Sequence, residues 1–187
     1  MAKPRYAPHI RQIRTLYAET NAITRKTGGA WYRTEHAEIE ILAKRTGHEP
    51  EIIAACLAVL SPRCQWSRVK AACEEVLSGA TPSGIFRHNL EKARLILAAR
   101  NAIPIDPLRA PKTWAFWQNL WRPNDPEPVT LDSWMFRAHG LHIKAGLTTY
   151  RSLADAYRRR ARDLGLIPNQ LQATIWLHIR ERGNGQP

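Results

Sequence analysis

Residues 111–134 read PKTWAFWQNLWRPNDPEPVTLDSW, two helical segments joined by a loop that contains three prolines. Apolar side chains at helical spacing predict a helix over Lys112–Leu120, and the loop Arg122–Pro128 ends it. Asp132 stands directly before a second predicted helix, Ser133–His139, where its carboxylate can accept hydrogen bonds from the first backbone N–H groups. The stretch therefore predicts a helix–loop–helix in which Lys112 and Asp132 are twenty residues apart.

The rest of the chain shows the same helical period, and no segment alternates as a half-buried strand does. The chain of 187 residues is long enough to bury one hydrophobic core. It therefore predicts an all-α protein of eight or nine helices in one compact domain over residues 1–187, with a break at Gly28-Gly29 and a frayed tail at 183–187. The predicted helices are His9–Glu19, Arg33–Thr46, Pro50–Leu60, Gln65–Leu77, Arg87–Arg100, Lys112–Leu120, Ser133–His139, Tyr150–Gly165 and Pro168–Arg182.

Composition excludes several classes of protein. Hydrophobic residues make up 44% and charged residues 24%, which is typical of a globular chain rather than a disordered one. No run reaches the ~18 apolar residues of a membrane span, and no apolar run follows the basic N-terminus as in a secretory signal. The cysteines Cys56, Cys64 and Cys73 form no CxxC pair, so we expect no iron–sulfur cluster, no metal site and a reducing, cytoplasmic environment.

The charge balance indicates the kind of partner. Lys and Arg number 28 against 16 Asp and Glu, which gives a formal net charge of +12. Such an excess on a small protein attracts polyanions, and no predicted helix has the strongly amphipathic character of a membrane-surface helix. We therefore expect a nucleic acid as the partner and no membrane.

Three segments of the chain carry a family resemblance: Leu60-Ser-Pro-Arg-Cys-Gln-Trp66, Gly84-Ile-Phe-Arg-His-Asn-Leu-Glu-Lys-Ala93, and Pro111-Lys-Thr-Trp with Val129-Thr-Leu-Asp-Ser-Trp134. Their order and spacing resemble the helix-hairpin-helix DNA glycosylase superfamily from about Ala54 to Gly140. The resemblance implies an all-α glycosylase-like fold, with the hairpin and a catalytic Asp132 within about 105–140. It also implies that Arg63, or alternatively Gln65, is inserted into the DNA duplex; an ordinary arginine at a helix N-terminus would look the same.

A set of small phage and bacterial glycosylase-like proteins is similar over nearly the whole length. The matching residues are Trp31-Tyr32, Ser61-Pro-Arg63 with Trp66, Pro111-Lys112, and Gln172-Ala173 with Trp176. Some of these relatives are proposed to act in DNA hypermodification, so the resemblance leaves open excision or group transfer on an altered base such as hypermodified thymine. It places the protein in a bacterial or phage-infected cell.

The hairpin departs from the family pattern, because Leu108-Arg-Ala-Pro-Lys-Thr113 contains no glycine and Pro111 has no N–H to donate. We therefore expect the side chains of Arg109, Lys112 and Thr113 to contact DNA phosphates. The hairpin could still hold a monovalent cation; no other cofactor is implied.

Asp132 and Lys112 are the candidate catalytic residues. Cleavage of an N-glycosidic bond passes through an oxocarbenium-like transition state, which an ionised carboxylate stabilises while it orients water. A helix N-terminus favours the ionised form of Asp132, although an aspartate that only caps the helix would have the same sequence. Lys112 could attack C1′ as an amine and add AP lyase activity, or it could only contact phosphate or face solvent.

A flipped base is held between flat side chains, and Trp31, Tyr32, Trp66 and Trp134 lie beside the predicted site. We interpret these four as base-pocket candidates and Trp176 as a core residue. Glu35, near Trp31, could also line the pocket, although the solvent-facing surface of its helix is the better interpretation. Taken together, the sequence predicts a monomeric DNA glycosylase-like enzyme that flips and excises a damaged or modified base from double-stranded DNA. The alternatives are the group-transfer enzyme and a non-catalytic helix-hairpin-helix DNA-binding protein.

Overall fold

A computed structural model describes residues 7–100, 105–142 and 146–183. Within these ranges the chain forms nine α-helices and no strand, so the all-α prediction is confirmed. The helices are α1 (Ala7–Ala18), α2 (Ala22–Thr46), α3 (Pro50–Leu60), α4 (Trp66–Leu77), α5 (Arg87–Ala99), α6 (Pro111–Trp121), α7 (Ser133–Ala138), α8 (Leu147–Asp163) and α9 (Pro168–Gly183). The predicted frayed tail begins at Gly183, which ends α9, and otherwise lies outside the described residues.

The chain divides into two compact units, so the single domain expected from the sequence stays a prediction. Unit one comprises residues 1–34 and 122–187, and unit two comprises residues 35–121. The first half of α2 therefore belongs to unit one and its second half to unit two. None of the helices in the described ranges has the length and apolar content that a bilayer span requires.

The predicted break at Gly28-Gly29 is wrong, because α2 begins at Ala22 and runs through both glycines. Gly28 allows α2 and α9 to pack closely against each other and does not form a turn. A Cβ atom on Gly28 would lie 2.4 Å from the Cα atom of Thr174, so only glycine lets α2 pass this close to α9. Since Trp31 and Tyr32 follow on the same helix, they lie inside α2 and not at a segment edge.

Helices α1, α7, α8 and α9 form the core of unit one, which also takes in the extended residues before α7. Its central side chains are fully or almost fully buried: Ile13, Leu16, Leu131, Met135, Phe136, Leu153, Tyr157, Leu171 and Ile175. Trp176 and Ile179 pack against this cluster, in agreement with the prediction that Trp176 is a core residue.

Helix α3 is the centre of unit two. Every residue from Ile52 to Leu60 is buried, as expected for a helix that is apolar on all sides, and α4, α5 and α6 pack against it. Cys56 on α3 and Cys73 on α4 are buried, and burial raises the pKa of the Cys56 thiol to about 12. Cys64 is partly exposed in the turn between the two helices.

Candidate functional site

The carboxylate of Asp132 is held by three N–H donors. Asp132 precedes α7, as predicted, and its Oδ1 atom accepts hydrogen bonds from the backbone N–H groups of Trp134 and Met135, each at 3.0 Å. Its Oδ2 atom accepts a third bond from Nε1 of Trp176, at 2.8 Å. Because both oxygens accept hydrogen bonds, the carboxylate has one orientation, and Asp132 as a whole is partly exposed.

Trp176 is the residue whose role the sequence reasoning missed. Its indole packs against the core while its N–H reaches Asp132, so α9 supports the site as well as the fold. The only sequence signal is the pairing of Gln172-Ala173 with Trp176 in the family resemblance. That signal marked the residue but did not name its partner.

Tyr150 holds the extended residues that lead into Asp132. Its hydroxyl donates to the carbonyl oxygen of Val129 at 2.6 Å and accepts from the backbone N–H of Leu131 at 3.3 Å. Burial raises the pKa of Tyr150, so the hydroxyl stays protonated and remains a donor. This side chain on α8 thus satisfies two backbone groups that no sheet or helix could satisfy here.

A second buried tyrosine, Tyr157, lies close enough to Asp132 to sense its charge. Tyr157 is fully buried, and its hydroxyl is 3.2 Å from Nε2 of His139. Burial lowers the pKa of His139 to about 4, and the neighbouring His9 lowers it further in the same direction. Burial, followed by the negative charge of Asp132, raises the pKa of Tyr157. Both groups are therefore neutral at neutral pH.

Of the four aromatic residues predicted to form a base pocket, three lie in unit one and already have close neighbours. Trp134 is partly buried, with the guanidinium carbon of Arg180 at 4.9 Å from its ring centre, and a Cβ on Gly183 would lie 2.7 Å from it. The ring of Trp31 stands edge-on to that of Tyr32, with centroids 4.7 Å apart. The Tyr32 hydroxyl donates to Oε1 of Gln172 at 3.0 Å inside the core. Their pocket role stays a prediction.

Unit two brings two of the quoted motifs together at Lys112. The Nζ atom of Lys112, at the start of α6, donates to Oγ of Ser61 at 3.0 Å and lies 5.0 Å from the ring centre of Phe116. The fourth pocket candidate, Trp66, stands edge-on to the same ring with centroids 5.5 Å apart. The Pro-Lys and Ser-Pro-Arg segments are therefore joined by a hydrogen bond and a shared aromatic ring.

The predicted DNA contacts of unit two are polar side chains with access to solvent. Arg63 adopts a left-handed backbone with φ of 58° and is exposed, a conformation that costs about 1 kcal/mol for a residue other than glycine. Gln65 is exposed directly before α4. Arg109 is almost fully exposed with Asp106 at 3.5 Å, and Thr113 is partly buried. Asp106 offsets part of the charge of Arg109, and the roles of all four residues stay predictions.

Glu35 does not lie on a solvent-facing surface, in contrast to the prediction. The residue is 7% exposed, and Nζ of Lys70 is 3.5 Å from its Oε2 atom. Burial raises the pKa of Glu35, while a hydrogen bond from Trp66 and the charge of Lys70 oppose this effect. Glu35 borders a cavity of about 150 Å³ with Ile39 and Leu57 on its apolar side.

The candidate residues fall on both sides of the division between the units. Asp132 and the aromatic residues Trp31, Tyr32 and Trp134 belong to unit one. Lys112, Arg63, Gln65, Trp66, Arg109 and Thr113 belong to unit two. Among the described residues no group of three His, Cys, Asp or Glu side chains is placed to hold a metal ion.

Residues 3–183 match a family model that is described as a family of unknown function, DUF7178. No curated protein and no solved structure matches the chain.

Proposed function

The chain belongs over residues 3–183 to DUF7178, a family of unknown function, and we propose that it is a helix-hairpin-helix DNA glycosylase that excises a damaged or modified base. The observation that carries the proposal is the carboxylate of the partly exposed Asp132, which is fixed by three N–H donors. A carboxylate that serves only as a helix cap needs the two backbone donors. The third donor, Nε1 of Trp176, fixes the oxygen that the cap does not use.

In the proposed reaction Asp132 stabilises positive charge on the sugar. The bond from C1′ to the base nitrogen breaks, its electron pair leaves with the base, and the oxocarbenium-like sugar develops beside the carboxylate. A water molecule oriented by Asp132 bonds to C1′ through its oxygen and loses one proton, while the departing base takes one up. The products are the free base and an abasic site in DNA.

The charge of the chain supports a DNA substrate. A net charge of +12 favours phosphate backbones, and the exposed side chains of Arg63 and Arg109 belong to the predicted hairpin and insertion segments. Nζ of Lys112 donates to Oγ of Ser61, so the Ser-Pro-Arg and Pro-Lys segments are neighbours within unit two. This arrangement suits a DNA-contacting surface on unit two.

Lys112 has two proposed roles that one experiment separates. As a nucleophile, its amine nitrogen would bond to C1′ while the base leaves, and opening of the sugar ring would give a Schiff base. Borohydride reduces such a Schiff base to a stable covalent complex with DNA. As a phosphate contact, Lys112 would give no such complex, and a Lys112→Gln variant would still release the base.

The proposal is tested by incubating the protein with genomic DNAs and duplexes that carry a panel of damaged and phage-type modified bases. Mass spectrometry would score released bases and abasic sites, and we expect release from at least one substrate that is lost in Asp132→Asn. The matched control is Asp125→Asn, which removes the same charge from a carboxylate that accepts the backbone N–H of Glu127 in a nearby turn.

Each outcome is decisive for the role of Asp132. Release in the wild type and in Asp125→Asn, but not in folded Asp132→Asn, supports the mechanism. Equal release in all three would show that Asp132 only caps α7. Binding without release from any DNA would refute excision and leave group transfer or plain DNA binding.

A further inference from the structure

Two arginines near Asp132 form no ion pair with any described carboxylate. Arg137 lies in the last turn of α7, and Arg180 lies on α9 one turn after Trp176. Four other arginines of unit one do form ion pairs: Arg182 with Glu19, Arg158 with Asp155 and Glu127, and Arg159 and Arg160 with Asp163. Arg137 and Arg180 therefore place cationic charge without an ion-pair partner beside the candidate site.

Both guanidinium groups are gathered on the same indole ring. The guanidinium carbon of Arg180 lies 4.9 Å from the ring centre of Trp134 and 5.5 Å from that of Trp176. The guanidinium carbon of Arg137 lies 5.7 Å from the ring centre of Trp134. Trp176 in turn donates a hydrogen bond to Asp132, so a single side chain, that of Trp176, connects Arg180 with the carboxylate.

A stacked guanidinium is well suited to hold a phosphate. Contact with an aromatic ring occupies the flat face of the guanidinium and leaves the N–H donors in its plane available. Two parallel N–H donors of a guanidinium match the spacing of two phosphate oxygens. Arg180 is also partly buried, which weakens its hydration without supplying a counter-charge. An anion with two or more oxygens is the ligand that this geometry favours.

We propose that Arg137 and Arg180 bind a backbone phosphodiester of the nucleic acid strand whose nucleotide faces Asp132. The inference rests on the proposed function, which identifies that nucleotide as the one that carries the excised base. The contact between the arginines and the phosphodiester is what positions this nucleotide. A phosphodiester is only a few bonds from the C1′ atom of its own nucleotide. A phosphate on Arg180 therefore positions the sugar near the carboxylate that stabilises its charge.

The test is the salt dependence of DNA binding, which is independent of base release. Anisotropy of a fluorescein-labelled duplex would give the association constant between about 50 and 200 mM salt, where each phosphate contact adds about 1 to the slope of log K against log salt. We expect the slope to fall by about 1 in Arg137→Gln and in Arg180→Gln, and by about 2 in the double variant. Arg180→Lys should keep the slope, since the charge remains.

Arg182→Gln is the matched control, because it removes an arginine from the same helix that Glu19 already neutralises. Its slope should stay within a few tenths of the wild-type value. Arg137 is exposed, so Arg137→Gln keeps the test valid even if Arg180→Gln disturbs folding as judged by circular dichroism.

Unchanged slopes in both glutamine variants would overturn the proposal. A second arm adds inorganic phosphate and pyrophosphate as competitors. If they displace DNA from the wild type while the slopes of the variants stay unchanged, the site takes free phosphate and the strand contact is refuted. Reduced slopes in a protein that releases no base would support the phosphate contact and refute excision. Base release with unchanged slopes would support excision and refute the phosphate contact.

Discussion

Replacement of Gly28 by alanine tests the crossing of α2 and α9 in unit one. A Cβ at Gly28 would lie 2.4 Å from Cα, 2.6 Å from N and 2.6 Å from Oγ1 of Thr174. Two of these atoms are backbone, and Thr174 is 1% exposed, so no flexible side chain can move away. The two helices must separate by about 1 Å, and overpacking of this kind costs about 1–3 kcal/mol.

Gly29 supplies the matched control, because it lies on the same helix and a Cβ there meets nothing within 4 Å. Alanine inside a helix is favoured over glycine by about 1 kcal/mol at either position. Gly29→Ala should therefore raise the free energy of unfolding by about 1 kcal/mol. Gly28→Ala gains the same propensity, so the difference between the two variants measures the overpacking cost alone.

Urea unfolding followed by tryptophan fluorescence and far-UV circular dichroism would give both free energies, with unchanged m-values as the condition for comparing them. We expect Gly28→Ala to be about 1–3 kcal/mol less stable than Gly29→Ala, which corresponds to roughly 2–12 °C in Tm for a chain of this size. If both substitutions stabilise the protein equally, Gly28 does not lie against Thr174 and the described crossing is wrong.

Three further predictions concern the residues around Asp132. Trp176→Phe removes the donor to Oδ2 of Asp132, and we expect it to lower the free energy of unfolding by about 1.5 kcal/mol. The rate of base release should fall by about tenfold. Adding Asp132→Asn to Trp176→Phe should cause no further loss of stability. Tyr150→Phe leaves the carbonyl of Val129 and the N–H of Leu131 without their partner, so urea unfolding should show a loss of about 2 kcal/mol; a loss under 0.5 kcal/mol would contradict the described hydrogen bonds. For His139, the unfolded imidazole binds a proton near pH 6.5 and the folded one only near pH 4. The free energy of unfolding should therefore fall as the pH drops from 6.5 to 4, by up to about 3 kcal/mol, and His139→Gln should abolish this part of the pH dependence.

Local signals in the sequence predicted the elements that depend on local interactions. Asp132 was expected before a helix because the carboxylate and the donors that it caps are neighbours in the chain, and the structure confirms this. The all-helical fold likewise follows from apolar periodicity, as in α3, where both predicted ends agree with the structure.

The residues that sequence reasoning misread depend on partners far along the chain. Gly28 looked like a helix break because its partner, Thr174, approaches from another helix. Trp176 donates to a residue 44 positions away, and no periodicity signals such a bond. Glu35 is a charged residue type that is usually exposed, but tertiary packing buries it beside Lys70 and Trp66.

The arginine run near the end of α8 is an intermediate case. As residue types alone, Arg158, Arg159 and Arg160 suit a track of phosphate contacts and a solvated helix face equally well. Asp155 stands three residues before Arg158, and Asp163 stands four and three residues after Arg159 and Arg160, which is the spacing at which helical side chains pair. The sequence therefore held the information that these charges are largely neutralised, whereas the unpaired state of Arg180 required the structure.

The burial of two of the three cysteines gives the protein a chemical handle. A thiol must be accessible and partly ionised to react, and Cys56 and Cys73 are enclosed in the core of unit two with a raised pKa. A maleimide dye should therefore attach to Cys64 alone in the native protein. Because Cys64 lies between Arg63 and Gln65, the natural sequence already provides a single labelling position directly beside both residues that the family resemblance offers for insertion into the duplex.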